Sequence, residues 1–138
     1  MPSDRIRFGY RSTRFERPGF VVAAGLELLV RSEQEVLDET KRCLEEHKRR
    51  LPFGWANAGS VFKNPPGDFA GRLIEAAGLK GTRVGGAEVS VKHANVVVNI
   101  GQATAADIQG LMDTIIARVQ QDFGVRLESE IQIVGEDR

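Results

Sequence analysis

Ile108, Leu111, Met112, Ile115, Ile116, Val119 and Phe123 recur at intervals of three and four between Thr104 and Gly124. That spacing predicts one amphipathic helix with a single apolar stripe. Its ends are punctuated. Thr104-Ala105-Ala106-Asp107 offers a capping hydroxyl with an acid three residues on, and Gly124 suits a left-handed stop. A stripe of this length must lie on another apolar surface. The nearest candidates are extended segments. Near 125–134, Val125, Leu127, Ile131 and Ile133 alternate with Arg126, Glu128, Glu130 and Gln132, which predicts a strand. Two shorter strands are expected near 87–91 and 95–100, after the break at Gly85-Gly86. The expectation is an α+β domain, with the 104–123 helix packed on a mixed sheet that contains 95–100 and 125–134.

The rest of the chain supplies two more helices. Phe20, Val22, Ala24, Leu26, Leu28 and Val30 share one face at period two, so 20–30 reads as a strand. Ser32-Glu33-Gln34-Glu35 is a capping box, and a helix near 33–50 runs to Lys48-Arg49-Arg50 before Pro52. Residues 52–67 hold three prolines and three glycines, the pattern of a long loop. Asp68 is placed to cap a short helix over 69–77, ended by Gly78.

Bulk chemistry narrows the function classes. Lys plus Arg and Asp plus Glu balance at 19 each, so no overall field favours nucleic acid or an anionic membrane. Cys43 is the single cysteine, which rules out an intrachain disulfide and fits a reducing compartment. No apolar run reaches the roughly 20 residues needed to span a bilayer. With one cysteine and two histidines, no metal centre is expected. Neither a dinucleotide fingerprint nor a Walker A sequence occurs. A cytoplasmic protein is the expectation.

Four residues of the main part of the chain could carry chemistry, and each also has a structural reading. Ser60 follows Gly59 on the predicted loop. It is either a turn residue or a hydroxyl proton donor. No Gly-x-Ser-x-Gly elbow surrounds it. Asn64 precedes Pro65 and is either an Asx turn or an amide donor to developing charge. Glu130, on the polar face of the predicted last strand, is either solvated or a site carboxylate. His93, in Lys92-His93-Ala94-Asn95, is either structural or a polar lining residue.

Taken together, several segments resemble the UDP-N-acetylenolpyruvoylglucosamine reductase family. They are Phe8-Gly9-Tyr10-Arg11-Ser12-Thr13-Arg14-Phe15, Ala58-Gly59-Ser60-Val61-Phe62-Lys63-Asn64-Pro65, Ala70-Gly71-Arg72-Leu73-Ile74-Glu75 and Gly78-Leu79-Lys80-Gly81. Val84-Gly85-Gly86-Ala87-Glu88-Val89-Ser90, Lys92-His93-Ala94-Asn95 and Leu127-Glu128-Ser129-Glu130-Ile131 follow in the family's order. The resemblance covers nearly the whole chain. The compact spacing from Asn64 to Lys80 is similar to the family's shorter subtype.

The resemblance implies a role in peptidoglycan precursor synthesis, reducing UDP-N-acetylglucosamine enolpyruvate to UDP-N-acetylmuramate with FAD and NADPH. It implies that 1–30 is the tail of an FAD-binding domain, 31–54 a bridging helix and loop, and 55–138 the C-terminal substrate-binding domain. The glycine-rich flavin segments and an upstream arginine of the family are missing, so the chain is expected to be a C-terminal piece. It would partner the N-terminal FAD-binding region of the same enzyme and bind neither nucleic acid nor membrane. Residue by residue, Ser60 resembles the proton donor and Glu130 the carboxylate that helps stabilise or protonate the enol-like intermediate. Tyr10, Asn64, Lys80 and His93 resemble substrate contacts. Ser129 and Gln132 depart from the proline and arginine common in the family. The alternative is a free-standing module that binds a UDP-sugar or a protein without catalysis.

Overall fold

The chain was analysed as a computed structural model that describes residues 5–16 and 18–135. It divides into two units, Met1–Glu33 and Gln34–Arg138. The boundary falls at the first residue of the first helix.

In the first unit, strands β1 (Ile6–Gly9) and β2 (Ser12–Phe15) form an antiparallel hairpin, with Ile6 opposite Phe15 and Gly9 opposite Ser12. Tyr10 and Arg11 make the turn. Arg11 adopts φ 52°, and its guanidinium lies 5.8 Å from the Tyr10 ring centroid. The strand expected over 20–30 does not form. Residues 18–32 carry no regular structure, and Phe20, Val22, Leu26, Leu28 and Val30 are each at least 80% exposed. Alternation makes a strand only where a neighbour takes up its N–H and C=O groups and another layer covers its apolar face. No described segment of this unit does either.

The second unit opens with α1 (Glu33–Arg50), which begins just after Ser32 and ends in His47, Lys48, Arg49 and Arg50, as the sequence predicts. None of its side chains is buried. Beyond Leu51 the chain turns so that Phe53 meets the His47 ring edge-on, with centroids 5.5 Å apart.

Strands β3 (Ala56–Ser60), β4 (Arg83–Val84), β5 (Ala87–Val89) and β6 (Val96–Asn99) form a sheet in the order β3-β6-β5-β4, and helices α2 (Ala70–Ala76) and α3 (Ala105–Phe123) complete the unit. The α+β expectation holds, with every strand pairing antiparallel. α3 lies against β4 and β5 and touches α2. Its stripe supplies Leu111, Met112, Ile115 and Val119 to a core shared with Leu73 and Ile74 of α2, Ala87 and Val89 of β5, and Val97 of β6.

The capping box read at Thr104 is present: Asp107 N–H donates to Thr104 Oγ1 (3.1 Å), and Thr104 N–H to Asp107 Oδ2 (2.9 Å). Gly124 closes α3 at φ 70°. Asp107 Oδ2 also accepts from Gly86 N–H at 3.3 Å, tying the helix start to the β4–β5 turn. Gly86 has to be glycine there, because a Cβ would fall 2.3 Å from the Gly101 carbonyl oxygen.

Two expectations in this unit fail. Residues 125–134 do not form a strand. They make one bridge, Ser129 opposite Phe62, flanked by Lys63 N–H to Glu128 O (2.9 Å) and Glu130 N–H to Val61 O (2.8 Å). The alternation reflects burial of Leu127, with Val125 and Ile131 packed against the core, and not a ladder. The only segment alongside is 61–63, which runs directly into Pro65-Pro66, where backbone donors are missing. Conversely, part of the supposed loop 52–67 is β3. Ala-Asn-Ala-Gly-Ser has no strand signature of its own. β6 pairs with it, and Gly59 at φ 81° accommodates the register shift between Asn57 and Ser60.

Among the described residues, no helix is long and apolar enough to cross a membrane.

Candidate functional site

Ser60 is the last residue of β3, opposite Val96. Beyond it, Val61 and Phe62 drop into the core, at 2% and 1% exposure. Asn64 follows, and its Oδ1 accepts from Ala70 N–H at 3.1 Å, which caps α2 from a distance. This revises the expected cap. Asp68 precedes the N-cap residue Phe69 and accepts from its N–H at 2.7 Å, while Asn64 satisfies the next amide. Asp68 also accepts from Arg72 Nε at 2.6 Å and pairs with the same guanidinium through Nη2. The Arg72 guanidinium first, and the Phe69 N–H second, hold the Asp68 carboxyl at about 2.

A third segment, 90–95, folds over a buried serine. Ser90 Oγ accepts from Lys92 N–H (3.2 Å) and His93 N–H (3.4 Å). Ser90 N–H donates to Val96 O, and Val96 N–H to His93 O. Asn95 N–H donates to His93 Nδ1 at 3.2 Å. With Nδ1 acting as acceptor, the neutral ring carries its proton on Nε2.

These three segments converge. Ser60, Asn64, Arg72 and Glu75 of α2, His93 and Asn95 line one cleft of about 500 Å³, with Lys92 at its wall. Hydroxyl, amide, imidazole and charged groups share its walls with Phe69, Gly71 and Ala94. Such a donor set suits an anionic, oxygen-rich ligand.

Three sequence-derived candidates, Ser60, Asn64 and His93, therefore share the cleft. Lys80 reaches it indirectly, through a 2.6 Å ion pair with Glu75. Glu130 is half-buried, and its N–H bonds to the residue after Ser60, but its side chain does not line the cleft and its segment is not a strand. Tyr10 stands at the hairpin turn of the first unit. Sequence reasoning missed Arg72, Lys92 and Asn95 as lining residues. For Asn95 a signal existed: an amide between Ala94 and the run Val96-Val97-Val98 has to be buried with its partners.

Residues 51–134 match the family described as UDP-N-acetylenolpyruvoylglucosamine reductase, C-terminal domain. UDP-N-acetylenolpyruvoylglucosamine reductase 2 of Symbiobacterium thermophilum is 52% identical over 131 residues, covering 94% of this chain and 42% of that protein. The reductase of Moorella thermoacetica is 50% identical over 131 residues, covering 95% and 43%. The crystal structure of UDP-N-acetylenolpyruvylglucosamine reductase (MurB) from Thermus caldophilus superposes with a TM-score of 0.72 at 39% identity, covering 94% of this chain and 46% of that one. The chain thus spans less than half the length of these relatives.

Proposed function

Because the chain belongs to the C-terminal domain family of UDP-N-acetylenolpyruvoylglucosamine reductases, we propose that it forms the substrate side of that reductase. It would bind UDP-N-acetylglucosamine enolpyruvate and complete its reduction to UDP-N-acetylmuramate in the cytoplasm. The observation that carries this reading is the convergence of Ser60 and Asn64, from one stretch, with His93, from another, on one cleft. In this reading 55–138 is the substrate domain, 31–54 the bridge, and 1–30 the tail of the FAD-binding region supplied by the rest of the enzyme. That region would hold FAD, whose hydride chemistry, renewed by NADPH, would serve the terminal enolpyruvyl carbon.

This chain's side chains handle the other half of the addition. The adjacent carbon gains negative charge, which spreads into the substrate carboxylate. Asn64 Oδ1 is fixed at the α2 N-terminus, so the amide plane is set and Nδ2–H can meet that carboxylate. Ser60 transfers its hydroxyl proton to the carbon, completing the saturated ether. Glu130, whose N–H bonds Val61 O and whose side chain lies outside the cleft lining, is the family-matched carboxylate that would help stabilise or protonate the enol-like intermediate. Lys80 and His93 hold the nucleotide-sugar, and Tyr10 of the first unit is a separate candidate contact by the family resemblance. His93 acts through Nε2–H, because its Nδ1 is engaged by Asn95.

The test is Ser60→Ala in the reductase assembled with its flavin-binding region. Substrate reduction followed by stopped flow should slow roughly 10²–10⁴-fold. Flavin reduction by NADPH should hold its rate, because the serine acts after hydride has left the flavin. Equal loss in both half-reactions would assign Ser60 a structural role instead.

A further inference from the structure

Asn95 is an asparagine at 4% exposure whose side chain grips one residue from both sides. Its Oδ1 accepts from Phe62 N–H at 2.9 Å, and its Nδ2 donates to Phe62 O at 2.7 Å. Its own carbonyl accepts from Val61 N–H at 2.9 Å. The β3–β6 ladder ends with Ser60 opposite Val96. Beyond that point the Asn95 side chain takes the place of the next peptide group and carries the pairing on to Phe62. The other edge of the same segment is held by the 128–130 stretch. Phe62 is the midpoint between Ser60 and Asn64, so a lock on Phe62 sets where both enter the cleft.

We infer that Asn95 is a positioning residue for the reaction, acting through the Phe62 backbone to hold the Ser60 hydroxyl at the reacting carbon. This rests on the assignment of Ser60 as proton donor. A well-placed donor is sensitive to small errors, since about 1 Å of displacement can cost on the order of 10²-fold in rate. Among the described residues, Asn95 is the side chain that bonds both Phe62 backbone groups. Alanine would strip partners from two backbone groups of a residue 1% exposed. Aspartate would keep an acceptor for Phe62 N–H but set a second oxygen against Phe62 O.

The experiment compares Asn95→Ala and Asn95→Asp with wild type in the reductase assembled with its flavin-binding region, and rates are normalised to folded enzyme. Both variants should slow substrate reduction roughly tenfold or more, with KM within about threefold. The solvent deuterium isotope effect on that step should rise, because proton delivery becomes limiting. Flavin reduction by NADPH should be unchanged. A purely structural role would lower the thermal midpoint and leave the isotope effect and the normalised rate untouched, and that result overturns the proposal. Should the alanine variant not fold, the aspartate variant decides alone by the same two readouts. Ser60→Ala in parallel separates the premises. If it leaves substrate reduction intact, the donor assignment fails and takes the role of Asn95 with it. If it slows the step while the Asn95 variants do not, the inference about Asn95 alone fails.

Discussion

Alanine at Gly86 and alanine at Gly110 should shift stability in opposite directions. At Gly86 a Cβ meets only backbone: Gly101 O at 2.3 Å, Ala103 N at 2.5 Å and Ala103 Cα at 2.8 Å. All three lie inside the 3.0 Å that real Cβ atoms essentially never breach. No side chain can swing aside, so the 101–103 turn has to move off the β4–β5 hairpin. Overpacking of this kind typically costs about 1–3 kcal/mol. The same shift lengthens the already long Gly86-to-Asp107 hydrogen bond, adding about 0.5–1 kcal/mol. Gly86→Ala is therefore expected to lose about 1.5–4 kcal/mol. At Gly110, inside α3, the nearest atom to a new Cβ is Val84 Cγ1 at 3.5 Å, an ordinary contact. Helix propensity then dominates, and Gly110→Ala should gain about 0.8–1 kcal/mol. Urea unfolding followed by far-ultraviolet circular dichroism measures both, with m held in common. At an m of about 1–3 kcal/mol/M, the gain alone moves the midpoint up by roughly 0.3–1 M. A neutral Gly86→Ala would refute the steric argument, and a destabilised Gly110→Ala would show that the Val84 contact outweighs propensity.

Two further outcomes test the core and the electrostatics. Ile115 is fully buried in the α3 stripe, so Ile115→Ala should cost about 2–5 kcal/mol in the same unfolding assay. An unchanged midpoint would mean that α3 does not pack as described. Asp68, held at about 2 by Arg72 and the Phe69 N–H, has a folded value below its unfolded one. Its contribution is present above the ordinary carboxylate range and fades as pH falls toward about 2. Carboxyl titration by NMR should show the Asp68 midpoint rising in Arg72→Ala, and no rise would remove the guanidinium as its main cause.

The helices were the legible part of this fold because their signals are local. Thr104, Asp107 and Gly124 mark α3 through short-range hydrogen bonds and a left-handed turn, and Ser32 and the basic run ending at Arg50 bracket α1. The strands depended on what lies beside them. Ala56–Ser60 pairs because β6 is there, though its composition predicts a loop. Residues 20–30 and 125–134 have the right alternation and form no strand, one for want of a neighbour and one because a single bridge is all that 61–63 offers. In the cleft, Ser60, Asn64 and His93 were visible as residue types in a familiar order. Arg72 was not, since its placement follows from how α2 and the 90–95 turn meet, while Asn95 showed only as an amide beside a core run. Glu130 was placed on a strand that proved to be an extended segment, and its side chain lies off the cleft wall.

The strand order β3-β6-β5-β4 also carries a kinetic consequence. β4, β5 and β6 follow one another along the chain and close over short turns, whereas β3 joins only after α2 and the β4–β5 hairpin have been looped back. Loop-closure entropy makes that pairing the slow one to form. Ser60 ends β3, so the sheet edge that borders the cleft is expected to pair last during folding, and Val61 and Phe62 complete the apolar core with it.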